Sequence, residues 1–484
     1  MNRRAPSVAE PDQLPRSPFG LIDELSCYYD TPAEPNNELF EVQVPGTIDY
    51  LTLRQAVAGA LAAAPRARGR MAAGRALRRR YSWEFPLVPD VEPLSRTTWS
   101  DERELAMARV GFMASSPPLR TSPPVRLLLA SGPDASCVML NAHHAAMDGM
   151  SCVEFLRDVA ARYRTLAADP PPPQTSVEPN PGSLGTPAVL EPQRSCWRPE
   201  PPPQPRGPVR DIRRHLVARI APEWDRLTPR NRRDGCGLRL LLVPAVPRLP
   251  GATVNDLLVA ALIATISRWN AAHRRPPAAI RITVPVNVRE PGLHGVAGND
   301  TRIATVTADP RTAADPPSLL AAVTRQTRAL RRAGRQRASA GPLGLAPGWC
   351  PVALKRLAVR TALRGLGRFV CDTSMLTNLG NVPDPPWSEA ARPVRMAVAG
   401  PARMPRGLAV GAMTADGQLQ LSFRYRYALF DEAAAARFVA TYAATLGELT
   451  TGTRARERTD ADRQGGDTDG PTASSAQDSR LPGR

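Results

Sequence analysis

Ala135-Ser136-Cys137-Val138-Met139-Leu140-Asn141-Ala142-His143-His144-Ala145-Ala146-Met147-Asp148-Gly149 is the stretch that decides the reading of this chain. Its first eight residues form a mostly apolar run bounded by turn formers, which predicts a short buried strand. The whole sequence has 5 histidines, and two of them stand together here. Successive side chains on a strand point to opposite faces. His143 and His144 therefore cannot share one cavity unless the strand has already ended. One is free for chemistry while the other packs or makes a structural hydrogen bond.

The residues that follow place the pair at a corner. Ser151-Cys152-Val153-Glu154 has the form of a capping box, in which each side chain bonds the other's backbone N–H. Val153, Leu156, Val159, Ala160, Tyr163 and Leu166 recur at helical spacing, predicting a helix from near Cys152 to near Leu166. Asp148 reaches back across the strand-to-helix turn, and Gly149 leaves room for a close approach. Two histidines and Asp148 also resemble a two-histidine, one-carboxylate metal set. Adjacent strand positions aim the rings apart, so they make a poor chelate and no metal is expected. A pair of structural histidines is the plain alternative.

H-H-x-x-x-D-G after a strand and before a capped helix resembles the CoA-dependent acyltransferase superfamily. That superfamily includes nonribosomal peptide synthetase condensation domains, chloramphenicol acetyltransferase and the wax ester synthase/diacylglycerol acyltransferases. The resemblance extends over roughly residues 17 to 450. Pro124-Val125-Arg126-Leu127-Leu128-Leu129 precedes the motif as a strand. Thr253-Val254-Asn255-Asp256 opens a long apolar helix, followed by Val284-Pro285-Val286-Asn287-Val288-Arg289 and Gly298-Asn299. Thr377-Asn378-Leu379-Gly380 and Leu421-Ser422-Phe423-Arg424-Tyr425 complete the series.

The resemblance implies an α/β fold, a mixed-sheet sandwich. Two chloramphenicol-acetyltransferase-like halves would form a V around a central tunnel, with the histidine midway. It implies His144 as the general base and Asp148 as a structural carboxylate ion-paired with arginine, at the position of Arg289. His143 and Gly149 complete the motif. Asn378 and Gly380, and similarly Asn299, fall where relatives line the tunnel and help hold an oxyanion; a plain turn explains Asn378 and Gly380 nearly as well. The donor would be an acyl-CoA or an acyl-phosphopantetheine carrier protein acting as co-substrate, with no bound cofactor. The acceptor would be a small-molecule alcohol or amine, in specialised metabolite or lipid biosynthesis. A positioned imidazole suits this chemistry, as base toward the acceptor and acid toward the departing thiolate. Two other readings stay open: a non-catalytic carrier-recruitment module, and an epimerisation-type relative. The Asp-Phe-Gly-Trp-Gly block of plant-type relatives is absent, and no adenylation-like or carrier-like region flanks the domain, so a free-standing protein is expected.

The formal net charge of +18 would ordinarily suggest a polyanionic partner. Lys355 is the only lysine among the 63 basic residues, and arginine is abundant alongside alanine and proline. This is the signature of a GC-rich coding sequence, and no nucleic-acid partner is expected. The series Arg325, Arg328, Arg331, Arg332 and Arg335 reads as a solvated helix face or as a contact for a CoA phosphate or an acidic carrier. The 7 cysteines are scattered without a C-x-x-C pair, against a disulfide framework or a zinc site. No apolar leader follows Met1, and the apolar run around Leu257 to Ile266 is too short to span a bilayer. A cytoplasmic monomer without a transmembrane segment is expected.

Along the chain, residues 1–17 are expected to be disordered, and 18–168 to form the first half with the motif. Leu39 to Val44 reads as a strand, and Tyr50 to Ala64 as a helix. Residues 169–208 are proline-rich and read as a linker. Residues 209–450 form the second half, opening with a strand-like His215 to Ile220. Thr253 caps a helix from Leu257 to Asn270, Ile280 to Val286 is a strand, and Asp416-Gly417 joins a hairpin. Asp431 to Leu449 is a closing helix, and residues 451–484, nearly devoid of apolar side chains, read as a disordered tail.

Overall fold

The computed structural model describes residues 14–74, 77–168, 217–224, 234–245, 248–287, 299, 301–332, 349–383, 385–387 and 395–465. The first half runs β1 (Arg16–Pro18), α1 (Leu21–Tyr29), β2 (Asn37–Pro45), α2 (Tyr50–Ala63), β3 (Arg70–Met71) and β4 (Ser82–Glu84). It continues with β5 (Leu94–Thr98), α3 (Glu102–Met113), β6 (Val125–Ser131), β7 (Ala135–His143) and α4 (Gly149–Ala168). The second half begins with β8 (Cys236–Val243), α5 (Val254–Ala272), β9 (Ile280–Asn287), β10 (Thr301–Ala308), α6 (Pro310–Ala314) and α7 (Pro316–Arg332). After these come α8 (Val352–Val370), β11 (Ser374–Asn381), β12 (Arg395–Ala399), β13 (Leu408–Ala415), β14 (Gln418–Arg426) and α9 (Glu432–Gly465).

The strands form a mixed five-stranded sheet in the order β12-β2-β7-β6-β5, a mixed six-stranded sheet β10-β9-β11-β13-β14-β8, and a small sheet β1-β4-β3. Each large sheet packs helices against its own core. Phe40, Val42 and Val44 of β2 and Val138 and Leu140 of β7 meet Val57 of α2 and Leu156 and Val159 of α4. Leu257 to Ile263 of α5 are fully buried, in one core with residues of β9, β13, β14 and α9. Alternation along β2 sends Leu39 the other way, into a smaller cluster with Leu105 and Met113 of α3. On that face Glu41 and Arg109 form a buried ion pair, with Nη2 of Arg109 2.9 Å from the carboxylate.

Local chemistry explains several boundaries. Thr253 and Asp256 make the reciprocal cap of α5, at 3.3 and 2.9 Å. Asp416 (φ 46°) and Gly417 (φ 73°) both take left-handed conformations, as a tight I′ hairpin between β13 and β14 requires.

The halves share a strand. Arg395–Ala399, from the second half, pairs antiparallel with β2 and completes the first half's sheet. There the two sheets come close enough that a Cβ on Gly411 would overlap the Val398 carbonyl oxygen. The sequence division into two separate halves did not anticipate this crossing.

Four further expectations need correction. Arg16 and Ser17 are ordered, because β1 pairs with β4. α4 starts at Gly149, not near Cys152, and its cap is Asp148 rather than Ser151: the Asp148 side chain accepts the Ser151 N–H at 2.9 Å. Asp148, not read as a cap from the sequence, takes the Ser151 N–H and begins the helix three residues earlier. The strand read at His215 to Ile220 reduces, over its described residues, to a single bridge between Val217 and Ala279. α9 continues past Leu449 to Gly465, since extending an anchored helix costs little where no proline intervenes. The proline-rich segment 169–208 lies outside the described residues.

Candidate active site

β7 ends on His143, opposite Asn37 of β2. The chain then turns sharply, with the Ala146 N–H bonded to the His143 carbonyl at 2.8 Å, and enters α4 at Gly149. The His144 N–H is bonded to the Asn36 carbonyl at 3.0 Å, which holds the corner against the start of β2.

The two rings part, each to its own carboxylate. His143 is 2% exposed. Its Nδ1 accepts the Ala145 N–H at 3.0 Å, so the ring proton lies on Nε2, 3.6 Å from Asp30 Oδ2. Burial pushes the Asp30 carboxyl up. Hydrogen bonds and charge from His143, with hydrogen bonds from Ser116 and the Asn36 N–H, outweigh it and hold the group at about 2. His144 turns instead to β2, its Nε2 3.2 Å from Glu38 Oε1, and its side chain remains 23% exposed. Its Nδ1 is enclosed and has no hydrogen-bond partner among the described residues.

Glu38 was not singled out in the sequence, where it reads as an ordinary polar residue before a strand. It lies opposite Ala142, two positions before His144 on the same face of β7, and it is 5% exposed. Burial pushes its carboxyl up, opposed by the charges of His144 and Arg424 and reinforced by Asp148. Arg424, 1% exposed, anchors in the neighbouring backbone, donating to the Asn37 carbonyl at 2.9 Å and to Asn37 Oδ1 at 2.8 Å. Gly400, just after β12, faces Glu38: a Cβ there would sit 3.5 Å from the carboxylate oxygens. The second half thus helps to enclose the Glu38–His144 pair.

Asp148 is 4% exposed and caps α4, with its other oxygen 3.3 Å from Thr301 Oγ1 of β10 in the second half. The expected partner Arg289 lies outside the described residues. Gly149 is needed for packing: the Leu379 Cδ2 methyl lies 3.0 Å from where a Cβ would stand. Asn378 and Gly380 lie in β11, at an irregularity in its pairing with β13, with the Gly380 N–H (φ 74°) bonded to Asn378 Oδ1 at 2.9 Å. That N–H is taken by the Asn378 side chain.

Asn299 does more than the sequence reading assigned it. Its amide nitrogen lies 2.8 Å from the His144 carbonyl, 3.0 Å from that of Ala145 and 2.9 Å from Asp23 Oδ1. Asp23 is 3% exposed and also receives Arg66 at 2.7 Å and the Trp83 indole N–H at 3.2 Å. Burial raises its carboxyl, but Arg66 and these hydrogen bonds win and lower it. The motif is therefore braced from the first half by Asp23 and from the second by Asn299. No spacing rule in the sequence joins residues so far apart.

A cavity of about 240 Å³ opens beside His143, lined also by Asp30, Tyr81, Leu119, Arg120 and Arg356. Its Cys27 has a thiol pushed up by burial to about 12, which removes it as a nucleophile. Among the described residues, no three His, Cys, Asp or Glu side chains converge as metal ligands. No helix among them is long and apolar enough to cross a membrane.

No family model matches the sequence. Two curated relatives, uncharacterized proteins from two strains of Mycobacterium tuberculosis, are each 29% identical over 284 residues. The match takes in 55% of this chain and 61% of each relative. Solved structures give the wider likeness. The first condensation domain of the calcium-dependent antibiotic synthetase, in complex with a substrate analogue, superposes with a TM-score of 0.60 at 14% identity, over 90% of this chain and 97% of that one. The epimerization domain from the third module of tyrocidine synthetase B gives 0.54 at 14%, over 92% and 100%. The trichothecene 15-O-acetyltransferase of Fusarium sporotrichioides gives 0.56 at 10%, over 90% and 94%. The chain shares the fold of these condensation, epimerization and acetyltransferase structures.

Proposed function

We propose that this chain is a condensation-type acyltransferase, with His144 as general base. It moves an acyl group from a thioester, on CoA or on a carrier protein, to an alcohol or amine acceptor in specialised metabolite or lipid biosynthesis. The observation that carries the reading is the Glu38–His144 pair, at 3.2 Å and enclosed by both halves. When Glu38 is ionised it holds the ring proton on Nε2 and leaves the lone pair on Nδ1. As the acceptor attacks the thioester carbonyl, the pair gains the acceptor's proton and the imidazolium is stabilised beside the carboxylate. The proton then goes to the departing thiolate, and no covalent enzyme intermediate is needed. Nδ1 is closed off from solvent in this state, so the acceptor meets it after the ring or its cover moves. Asp148, Asp23 and Asn299 position the corner and take no proton.

A panel of acyl-CoAs and acyl-carrier proteins against alcohols and amines, read by intact mass, tests this. Transfer by the wild type that disappears in His144→Ala supports it; no transfer from any donor overturns it. The epimerization domain among the structural neighbours favours a second reading. In that case the pair removes a proton from the α-carbon of a carrier-bound aminoacyl group, which deuterium uptake at that carbon would show. A carrier that binds without any exchange or transfer would instead point to a recruitment module.

A further inference from the structure

α8 presents apolar side chains on two opposite sides. On the inward side Val352, Lys355 and Val359, three and four residues apart, are each no more than 7% exposed. The Val352 N–H is bonded to the Arg78 carbonyl at 2.9 Å, and Lys355 Nζ donates to the Arg79 carbonyl at 3.0 Å. Arg360 donates to the carbonyls of Tyr28 and Asp30, at 3.2 and 2.7 Å. The helix is thus fixed to the first half along that side. Residues three and four apart share a helix face, and the outward face carries Leu354 and Leu357, 55% and 62% exposed, with Ala358 and Thr361 exposed beside them. Trp349, 69% exposed, precedes the helix, and Leu77, 77% exposed, comes to its start with the Arg78 segment. A single exposed leucine is ordinary. Four large apolar side chains, each more than half exposed and gathered about one helix, mark an interaction surface.

The charge around them has one sign. From Pro316 to Cys371 the sequence has 11 Lys and Arg residues and no Asp or Glu. Arg79, Arg80, Arg356 and Arg364 are exposed, and none of them forms an ion pair among the described residues. We propose that the outward side of α8 is a membrane-docking surface, which lays Leu354, Leu357 and Trp349 into an anionic lipid bilayer. Apolar side chains alone would fit many partners; the uniform positive charge around them selects the lipid. A helix of this kind lies in the plane of a bilayer, its leucines among the upper acyl chains and its arginines at the phosphates. Arginine stems are long enough to lie along the apolar layer while their heads stay with the phosphates. A second copy of the chain would set the positive rim against itself. Attachment of this kind is peripheral and reversible. It goes beyond the acyl-transfer reading and does not depend on it.

The experiment is cosedimentation of the full chain with vesicles of phosphatidylcholine, alone or with about one-third phosphatidylglycerol. Wild type is compared with Leu354→Ser/Leu357→Ser and Arg79→Gln/Arg80→Gln. Wild type is expected to bind the anionic vesicles at least about tenfold more tightly than the neutral ones, and to release them as salt rises. The leucine pair should weaken binding at least about tenfold, and each arginine about fivefold. The replaced side chains are exposed, so both variants should melt with wild type. If the leucine variant melts lower, Trp349→Ser, ahead of the helix, takes its place. Bromine on the acyl chains should quench wild-type tryptophan fluorescence, and Trp349→Phe should lose that quenching. A net charge of +18 draws the protein to any anionic surface, so binding that survives loss of the leucines, or quenching that survives Trp349→Phe, overturns the docking surface. Equal binding to both vesicles overturns it as well. A wild type that ignores vesicles but dimerises, or holds an acidic protein, through the same leucines assigns the face to that partner and overturns the lipid. Vesicle docking without acyl transfer from any donor would overturn the proposed function and leave the surface standing.

Discussion

Replacing Glu38 with glutamine keeps the shape beside His144 and removes the charge. The carboxylate lies 3.2 Å from Nε2 and is 5% exposed, so solvent screens it little. A hydrogen bond to a charged group contributes about 1.5–3 kcal/mol. If it forms fully only as the imidazolium develops, losing it should slow transfer by about 10- to 150-fold. The assay is single-turnover transfer from a saturating acyl thioester, followed by thiol release across pH. The rate gap between wild type and Glu38→Gln should be widest above the raised pKa of Glu38 and close below it, where the wild-type carboxyl is itself neutral. Stability should run the other way. A carboxyl raised by burial contributes stability at low pH and loses it as pH rises through its folded value. Glu38→Gln should therefore melt at or above the wild-type temperature near pH 8, with the difference vanishing below the ordinary value of 4.5. A variant with the wild-type rate would refute the coupling.

Asp148→Ala should lose the α4 cap and cost about 0.5–2 kcal/mol in thermal or urea unfolding, because Ser151 N–H is left without that acceptor. Glu41→Ala should cost about 3–5 kcal/mol by stranding Arg109 inside the first half, and Glu41→Leu with Arg109→Met should recover most of it. Asp30→Asn removes a carboxyl held at about 2 against an ordinary 3.8. Its folded value is depressed, so the stability it contributes, about 2 kcal/mol, is present above pH 4 and lost as pH falls toward 2; melting across that window should show the wild-type advantage closing.

Much of this was legible because local patterns and global packing agree. The apolar run ending at His143, the Thr253–Asp256 cap and the Asp416-Gly417 hairpin each carry a short-range chemical reason, and each appears where that reason puts it. Alternation alone separated the two imidazoles. What escaped was set by residues distant in sequence. Glu38 meets His144 only because β2 pairs with β7 in a particular register, and Arg424 reaches Asn37 across the halves. The crossing of Arg395–Ala399 into the first sheet follows from tertiary packing, since nothing in that short apolar strand names its partner. The Ser151–Glu154 pattern drew the cap three residues too late, and the motif's aspartate, read for its implied ion pair, starts the helix.

The central claim is that His144 takes the acceptor's proton while His143 supports the corner. The direct measurement is the single-turnover acyl-transfer rate of His144→Ala beside wild type, with matched thermal melting. Loss of a general base should lower the rate by about 10²- to 10⁴-fold while the melting temperature stays within a few degrees. Transfer by His144→Ala at close to the wild-type rate would contradict the account.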